Sequence, residues 1–285
     1  MSTKPHSCHW VYWTLFAALA ACSSETAATD SESDEPAVAD TTAEDADTDT
    51  FPDDAQTPVI PAVNGNTAAG NVTTYGSVSD PAPSRGGACN YGATQIYNFA
   101  AINVNLAAGD GLGQWNGGRI CGQCAEVTVH TQEGDKTTVV RITDKCPDEY
   151  CGIDLGGLPA QTLMGTQPGR YDGIWEFIPC DSHDQVSDGR PSIFVKEGSN
   201  PWWAVIQVRN PPAAVLAITW TSPSGGSGAL EYASEAENFY SVPEAIRTSD
   251  ERITFAFSFD FNITLTAEIT GTDLTVENAT YELSR

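Results

Sequence analysis

Along most of the chain, hydrophobic and polar positions alternate in short runs whose period is two rather than 3.6. Residues 125–130 place Val127 and Val129 on one face, and residues 137–143 set Val139, Arg141 and Thr143 opposite Val140 and Ile142. Residues 171–178 form a third run. Successive side chains of a strand point to opposite sides, so this period predicts strands with one buried face. The longest run lies near the C-terminus, where Ile253, Phe255, Phe257, Phe259 and Phe261 share one face and Thr254, Ala256, Ser258 and Asp260 the other. Residues 202–209, 215–220, 263–269 and 274–283 are predicted as further strands, and Trp175, Trp220 and the Phe stripe as core. One short helix is predicted over 158–164, after a loop Asp154-Leu155-Gly156-Gly157. Short strands parted by Gly-rich turns through 67–185 predict a small closed barrel. The strand spacing of 190–285 predicts a β-sandwich, and a polar run over 182–190 lies between the two. The expected class is all-β.

Charge separates the N-terminal fifth from the rest. The 285 residues carry 13 Lys and Arg against 38 Asp and Glu, a net charge of −25, which excludes a nucleic-acid binder that would need a basic face. Residues 23–58 hold 12 of the acidic residues, no Lys or Arg, and Phe51 as the sole aromatic. Such a stretch buries too little apolar surface to offset its ordering entropy, so 22–66 is expected to be a disordered acidic linker. Before it, Lys4 precedes an apolar run over 10–21, too short to span a membrane and suited to a signal peptide over 1–21. That run ends Leu19-Ala20-Ala21-Cys22, followed by Ser23 and Ser24, which resembles a bacterial lipobox. Lipid is expected on Cys22, with the protein exported and held at the outer membrane or cell surface.

Export also shapes the reading of the cysteines. Cys8 leaves with the signal peptide, and the six beyond Cys22 are Cys89, Cys121, Cys124, Cys146, Cys151 and Cys180. An even set in an oxidising compartment predicts three disulfides, and six cysteines allow about 15 connectivities among which spacing does not choose. Zinc is the rival reading of Cys121-Gly-Gln-Cys124 and Cys146-x4-Cys151. Because exported thiols oxidise and the four His form no cluster, no metal and no cofactor are expected.

Several motifs together resemble expansins. They are Gly86-Gly87-Ala88-Cys89, Cys121-Gly122-Gln123-Cys124-Ala125-Glu126, Thr143-Asp144-Lys145-Cys146-Pro147 and Gly152-Ile153-Asp154-Leu155. The run from Lys196 through Asn200-Pro201-Trp202-Trp203 to Asn210 is similar to the start of the binding domain in bacterial members. The resemblance covers about residues 73–220. It implies a six-stranded double-psi β-barrel, related to family 45 endoglucanases, followed by an immunoglobulin-like β-sandwich that binds polysaccharide. It also implies the pairs Cys89–Cys121, Cys124–Cys180 and Cys146–Cys151.

By the same resemblance, Asp154 is the acid, Asp144 a second carboxyl beside it, and Thr74 and Tyr75 line the groove. Two neighbouring carboxyls are expected to raise each other's proton affinity. Without the resemblance, Asp144 reads as a turn cap and Asp154 as a helix N-cap. Hydrolysis needs two carboxyl groups across the bond. Ser77 stands where the related hydrolases carry the basic Asp, and Asp80 lies three residues on. Trp202 and Trp203 are expected to stack on sugar rings, with Tyr232 or Tyr240 as a third aromatic. The expected activity is wall loosening on cellulose or a related β-glucan without hydrolysis, by a monomer, with xylan and peptidoglycan as further wall partners. The rivals are an endo-β-1,4-glucanase, a peptidoglycan-acting protein similar to rare lipoprotein A, and a pure carbohydrate-binding module in which the barrel is inert.

Overall fold

A computed structural model describes residues 67–104, 113–148, 151–164, 169–180, 183–233 and 238–285. The signal peptide, Cys22 and the acidic linker lie outside the described residues. Six strands close into a barrel: β1 (Thr67–Thr74), β2 (Asn98–Asn103), β3 (Cys124–Thr131), β4 (Gly134–Cys146), β5 (Ile153–Gly156) and β6 (Tyr171–Ile178). Their order is β1-β5-β2-β4-β3-β6, and β6 returns to β1. The pairs β1/β5 and β2/β4 are parallel, and the others antiparallel. Inward positions follow the period-two runs: Val72, Ala100, Ile102, Val127, Val129, Val140, Ile142, Ile153 and Leu155 form one buried cluster with Trp115 and Trp175. Helix α1 (Gly157–Met164) follows β5 directly, so Asp154 sits within a strand and not in a loop ahead of the helix.

The second half builds two sheets. β7 (Ser192–Val195), β8 (Val205–Arg209), β11 (Glu231–Tyr232), β12 (Tyr240–Ser241) and β15 (Thr280–Glu282) make one, in the order β11-β12-β8-β7-β15. β9 (Val215–Thr221), β10 (Ser227–Ala229), β13 (Arg252–Phe259) and β14 (Ile263–Thr270) make the other, in the order β10-β9-β13-β14. Ile253, Phe255, Phe257 and Phe259 are all buried between the sheets, as their alternation requires. Phe261 leaves the stripe. It lies in a 3₁₀ turn at φ 59° and packs, partly buried, against both the barrel and the sandwich clusters. Two further expectations shorten. Residues 202–204 form a turn ahead of β8, and Leu274 falls in a 3₁₀ turn ahead of the short β15.

Three disulfides join Cys89 to Cys121, Cys124 to Cys180, and Cys146 to Cys151. The thiolates that the zinc reading required are therefore taken up. Among the described residues no helix is long and apolar enough to cross a membrane.

Barrel and sandwich meet through buried polar side chains. Gln207 on β8 donates to the Cys89 and Asn90 carbonyls at 3.0 and 3.3 Å, and Asn238 donates to the Cys89 carbonyl at 2.9 Å. Gln123 accepts from the Ala214 amide at 2.8 Å while donating to Ile178 O at 2.7 Å. Arg141 on β4, only 1% exposed, donates to carbonyls of Val186, Gly122 and Pro211. One lies in the barrel, one in the connecting segment and one ahead of β9. Burial lowers the Arg141 pKa to about 10, which leaves the cation intact at neutral pH. Its partners are carbonyl dipoles, and a shape-matched apolar residue would leave all three without a donor. We therefore expect Arg141→Met to lose about 3 kcal/mol or more and to lower the melting temperature by about 5–10 °C. Calorimetry checks this, and an unchanged midpoint would mean that the seam does not rely on the guanidinium.

Candidate functional site

The site is a row across four barrel strands. Thr73 on β1 pairs with Asp154 on β5, Asp154 pairs with Ala101 on β2, and Ala101 pairs with Asp144 on β4. Directly paired residues share a sheet face. The faces of Val72, Ile153, Leu155, Ala100 and Ile102 are the core, so Thr73, Asp154 and Ala101 face outward. Strict alternation from Ile142 would turn Asp144 inward. A register shift between Ala100 and Ala101 prevents this: Ala100 pairs with Ile142, but Ala101 pairs with Asp144. Thr143 is the extra residue, fully buried, and its hydroxyl accepts from Ser84 Oγ at 2.9 Å. Such a bulge re-aims the side chain that follows it.

The register also corrects one expectation. Thr74 follows Thr73 on the opposite face, and its Oγ1 is buried without a hydrogen-bond partner among the described residues. Thr73 is the residue that reaches the acid, donating to Asp154 Oδ1 at 2.7 Å. Alternation from the inward Val72 carries this signal, and the motif resemblance picked the neighbouring threonine instead.

The two carboxyls are held differently. Asp144 Oδ1 accepts from the Ala88 and Lys145 amides, each at 2.8 Å. Gly87 makes the approach possible, since a Cβ there would lie 2.4 Å from Asp144 Cγ and its φ is +43°. Asp154 has a raised pKa. Burial is the main cause, the Thr73 hydroxyl opposes it, and the charges of Asp148 and then Asp144 add smaller increments. The expected mutual effect of the two aspartates is thus the least contributor, as suits carboxyls two strands and roughly 10 Å of backbone apart. The Cys146–Cys151 disulfide supplies part of the desolvation: Cys146 Sγ lies 4.0 Å from Asp154 Oδ2 and Cys151 Sγ 3.9 Å from Thr73 Oγ1. These sulfurs and the carboxylate fall within 4.8 Å of one another, but the sulfurs are bonded to each other and are not thiolate ligands.

Beside the row opens a pocket of about 280 Å³ lined by Tyr75, Ser77, Asp80, Arg85, Phe99 and Asp144 among others. The Tyr75 ring stands edge-on to Phe99 at 5.7 Å between centroids. Its hydroxyl is pushed well above the usual phenol range by burial first, then by the charges of Asp144 and Asp154. Asp80 lines this pocket, with its amide on Ser77 Oγ at 3.1 Å.

Trp202 and Trp203 lie in a turn and not in a strand. Asn200 and Trp203 bond to each other through both amides, and Asn200 Oδ1 accepts from the Trp202 and Trp203 amides at 2.9 and 3.2 Å. Trp202 is 87% exposed and Trp203 37%. The Asn-Pro pair at 200–201 is the sequence signal for this turn. Neither tyrosine joins them in the open. Tyr240 is buried at 4% exposure in the sandwich core. The Tyr232 ring is covered by the Arg119 guanidinium at 4.6 Å and meets Tyr240 edge-on, and its hydroxyl donates to Gly117 O at 3.1 Å. The tyrosine ring on the short β11 joins the sandwich to the barrel. Trp115, in its Gly-rich loop, is core.

A closed six-stranded barrel of this strand order followed by two packed sheets, with the acidic row on the barrel and an exposed indole pair on the sandwich, has the architecture of an expansin. Comparison agrees. The chain is 25% identical over 162 residues to expansin-like protein 1 of Dictyostelium discoideum, a match covering 54% of this chain and 51% of that protein. It thus spans about half the length of that curated relative. The apo expansin of Clavibacter michiganensis superposes at a TM-score of 0.56 and 19% identity, over 76% of this chain and 96% of that one. A point mutant of the same expansin, crystallised in complex with cellohexaose, gives a TM-score of 0.53 at 18% identity. No protein-family model matches. Sequence and fold are expansin-like.

The raised pKa of Asp154 has a consequence for stability. The folded protein keeps this proton at pH values where the unfolded chain has released it, so the stabilisation is complete at low pH and is lost as pH rises through the folded pKa. Asp154→Asn retains an acceptor for Thr73 and removes the ionisation. Its melting temperature is expected to exceed the parent's at pH 7, with the difference closing near about pH 3. A gap that stays constant over this range would show that burial does not perturb Asp154.

Proposed function

We propose that the protein loosens cell-wall polysaccharide by binding neutral β-glucan, cellulose first, and disturbing its noncovalent contacts. The observation that carries this reading is the turn at 200–203, which leaves Trp202 in solvent. Indole faces suit the apolar faces of pyranose rings. On the barrel, burial raises the Asp154 pKa, and whenever this carboxyl carries its proton it can donate to a glycosidic or hydroxyl oxygen, with Thr73 and the Cys146–Cys151 bridge fixing its geometry. Asp144 and Tyr75 line the neighbouring groove. The comparison with an expansin that holds cellohexaose supports a glucan as ligand. Hydrolysis needs a second carboxyl to act as base or nucleophile, and Ser77 occupies the place where the resemblance puts it.

One observation favours a second reading. Asp80 lines the same pocket as Tyr75 and Asp144, and as a base it would make the protein an endo-β-1,4-glucanase. Measuring wall weakening and sugar release together decides between them. Asp154→Asn should lose weakening, keep cellulose binding, and leave sugar release at background. Sugar release by the parent that disappears in Asp154→Asn or Asp80→Asn would establish the glucanase.

The binding half has its own check. Trp202→Ala with Trp203→Ala should weaken cellulose binding at least tenfold, since stacking is worth about 1 kcal/mol or more per ring beyond area burial. The parent's binding should change little up to about 0.5 M salt, because ring contact is not screened. Binding that collapses in salt, or survives in the double variant, would assign the contact to another face.

The reading extends to export and to lipid on Cys22, which would tether the protein to the outer membrane through an acidic spacer. Cys22→Ser should then move the protein from the detergent phase to the aqueous phase. A variant that stays membrane-bound removes the anchor.

A further inference from the structure

Helix α2 (Glu244–Arg247) ends on an arginine whose side chain keeps 13% of its accessible surface. Nη1 donates to the Trp202 carbonyl. Nε is buried and has no hydrogen-bond partner among the described residues. The carboxylate within reach, Glu244, stands at 4.0 Å with 94% of its side chain in solvent. A guanidinium taken out of water at this cost, with so exposed a counter-charge, returns little to folding stability. Its hydrogen bond goes to the backbone of Trp202, whose side chain is left in solvent.

The Asn200–Trp203 backbone pair closes the turn at its base, while the Trp202 carbonyl at its tip is tied to the rest of the sandwich through Arg247. The Trp202 ring is exposed, so its side chain anchors nothing, and Pro201 before it has no N–H to give. Asn200 Oδ1 holds the turn from the amide side, through the N–H groups of Trp202 and Trp203. Arg247 holds it from the carbonyl side. We propose that Arg247 is a positioning residue that fixes the tryptophan turn before ligand arrives, so that binding does not have to order it. Pre-set contact groups gain affinity by losing less freedom on association. This inference rests on the reading of Trp202 and Trp203 as the glucan platform.

The test uses the mature protein, with Arg247→Met, which keeps the length of the stem and removes every donor, and Arg247→Lys, which restores one. Arg247→Met should bind cellulose about three- to tenfold more weakly, with unchanged capacity. Arg247→Lys should recover part of the loss. The melting temperature of Arg247→Met should equal or exceed the parent's, because a desolvated charge is gone, and amide exchange should quicken only over residues 199–204. Unchanged affinity, or a loss accompanied by a lower melting temperature and faster exchange throughout the sandwich, overturns the proposal. The Trp202→Ala, Trp203→Ala variant separates the two failures. If it still binds cellulose, the platform reading falls, and local exchange in Arg247→Met alone decides whether the clamp exists.

Discussion

Strand β4 carries consecutive residues with four different destinations, and one extra residue sorts them. Val140 and Ile142 enter the barrel core, Arg141 turns out to the seam, and Thr143 is buried as the bulge residue. After it, Asp144 faces the groove and Cys146 closes the bridge that walls Asp154. Remove the bulge and the period of two would carry Asp144 into the apolar interior, where an ionised carboxyl is not tolerated without partners. The Gly86-Gly87-Ala88 turn exists to meet this geometry: its amide reaches Asp144, and only a residue without Cβ fits against the carboxyl. Core, seam and groove are thus settled together along one strand of thirteen residues.

The groove is assembled at some cost to stability. Asp154 is desolvated by a disulfide and the sheet, Tyr75 is partly buried beside two carboxyls, and the Thr74 hydroxyl lacks a partner among the described residues. Each of these is unfavourable by itself. They persist because the barrel closes on itself and the Cys146–Cys151 and Cys89–Cys121 bridges restrain the segments beside them. The arrangement separates the roles of the two aspartates through their surroundings. Asp144 is held in place by two backbone amides, while Asp154 receives one hydroxyl and its burial raises its pKa.

Where burial follows chain period, the sequence is a good guide. The Phe stripe over 253–259 and the inward valines of β3 and β4 follow from spacing alone. The failures have specific causes. A bulge is invisible to alternation, so Asp144 was reached through its Cys-Pro motif and not through its face. Thr73 and Thr74 differ only by one residue of phase, and phase comes from the inward Val72. Arg141 alternates as an outward residue, and nothing in the period shows that a second set of sheets covers that face. Tyr240 looks available in sequence because β12 is two residues long, too short to display a pattern. Trp202 and Trp203 look like the start of a strand until Asn200-Pro201 is weighed as a turn.

Charge and stacking act on different ligands. The residues beyond the acidic segment keep a net charge of −14, so the surface repels polyanions such as pectate or teichoic acid at a range set by ionic strength. An indole face has no such range. It acts only at contact, through dispersion and desolvation, and prefers a flat neutral ring. On the glucan reading these two effects select in sequence: the field discourages acidic polymers at a distance, and the tryptophan turn retains neutral ones at contact. Lys196, with Nζ 6.0 Å from the Trp203 ring and 5.9 Å from the Phe239 ring, is a local positive charge at the platform itself. On the same reading it would offset the surrounding field where the polymer touches and offer a donor to sugar hydroxyls beside the stacked ring. Selectivity for a neutral chain would then need no deep pocket on the sandwich: on the glucan reading, a repulsive surface and one held turn supply it.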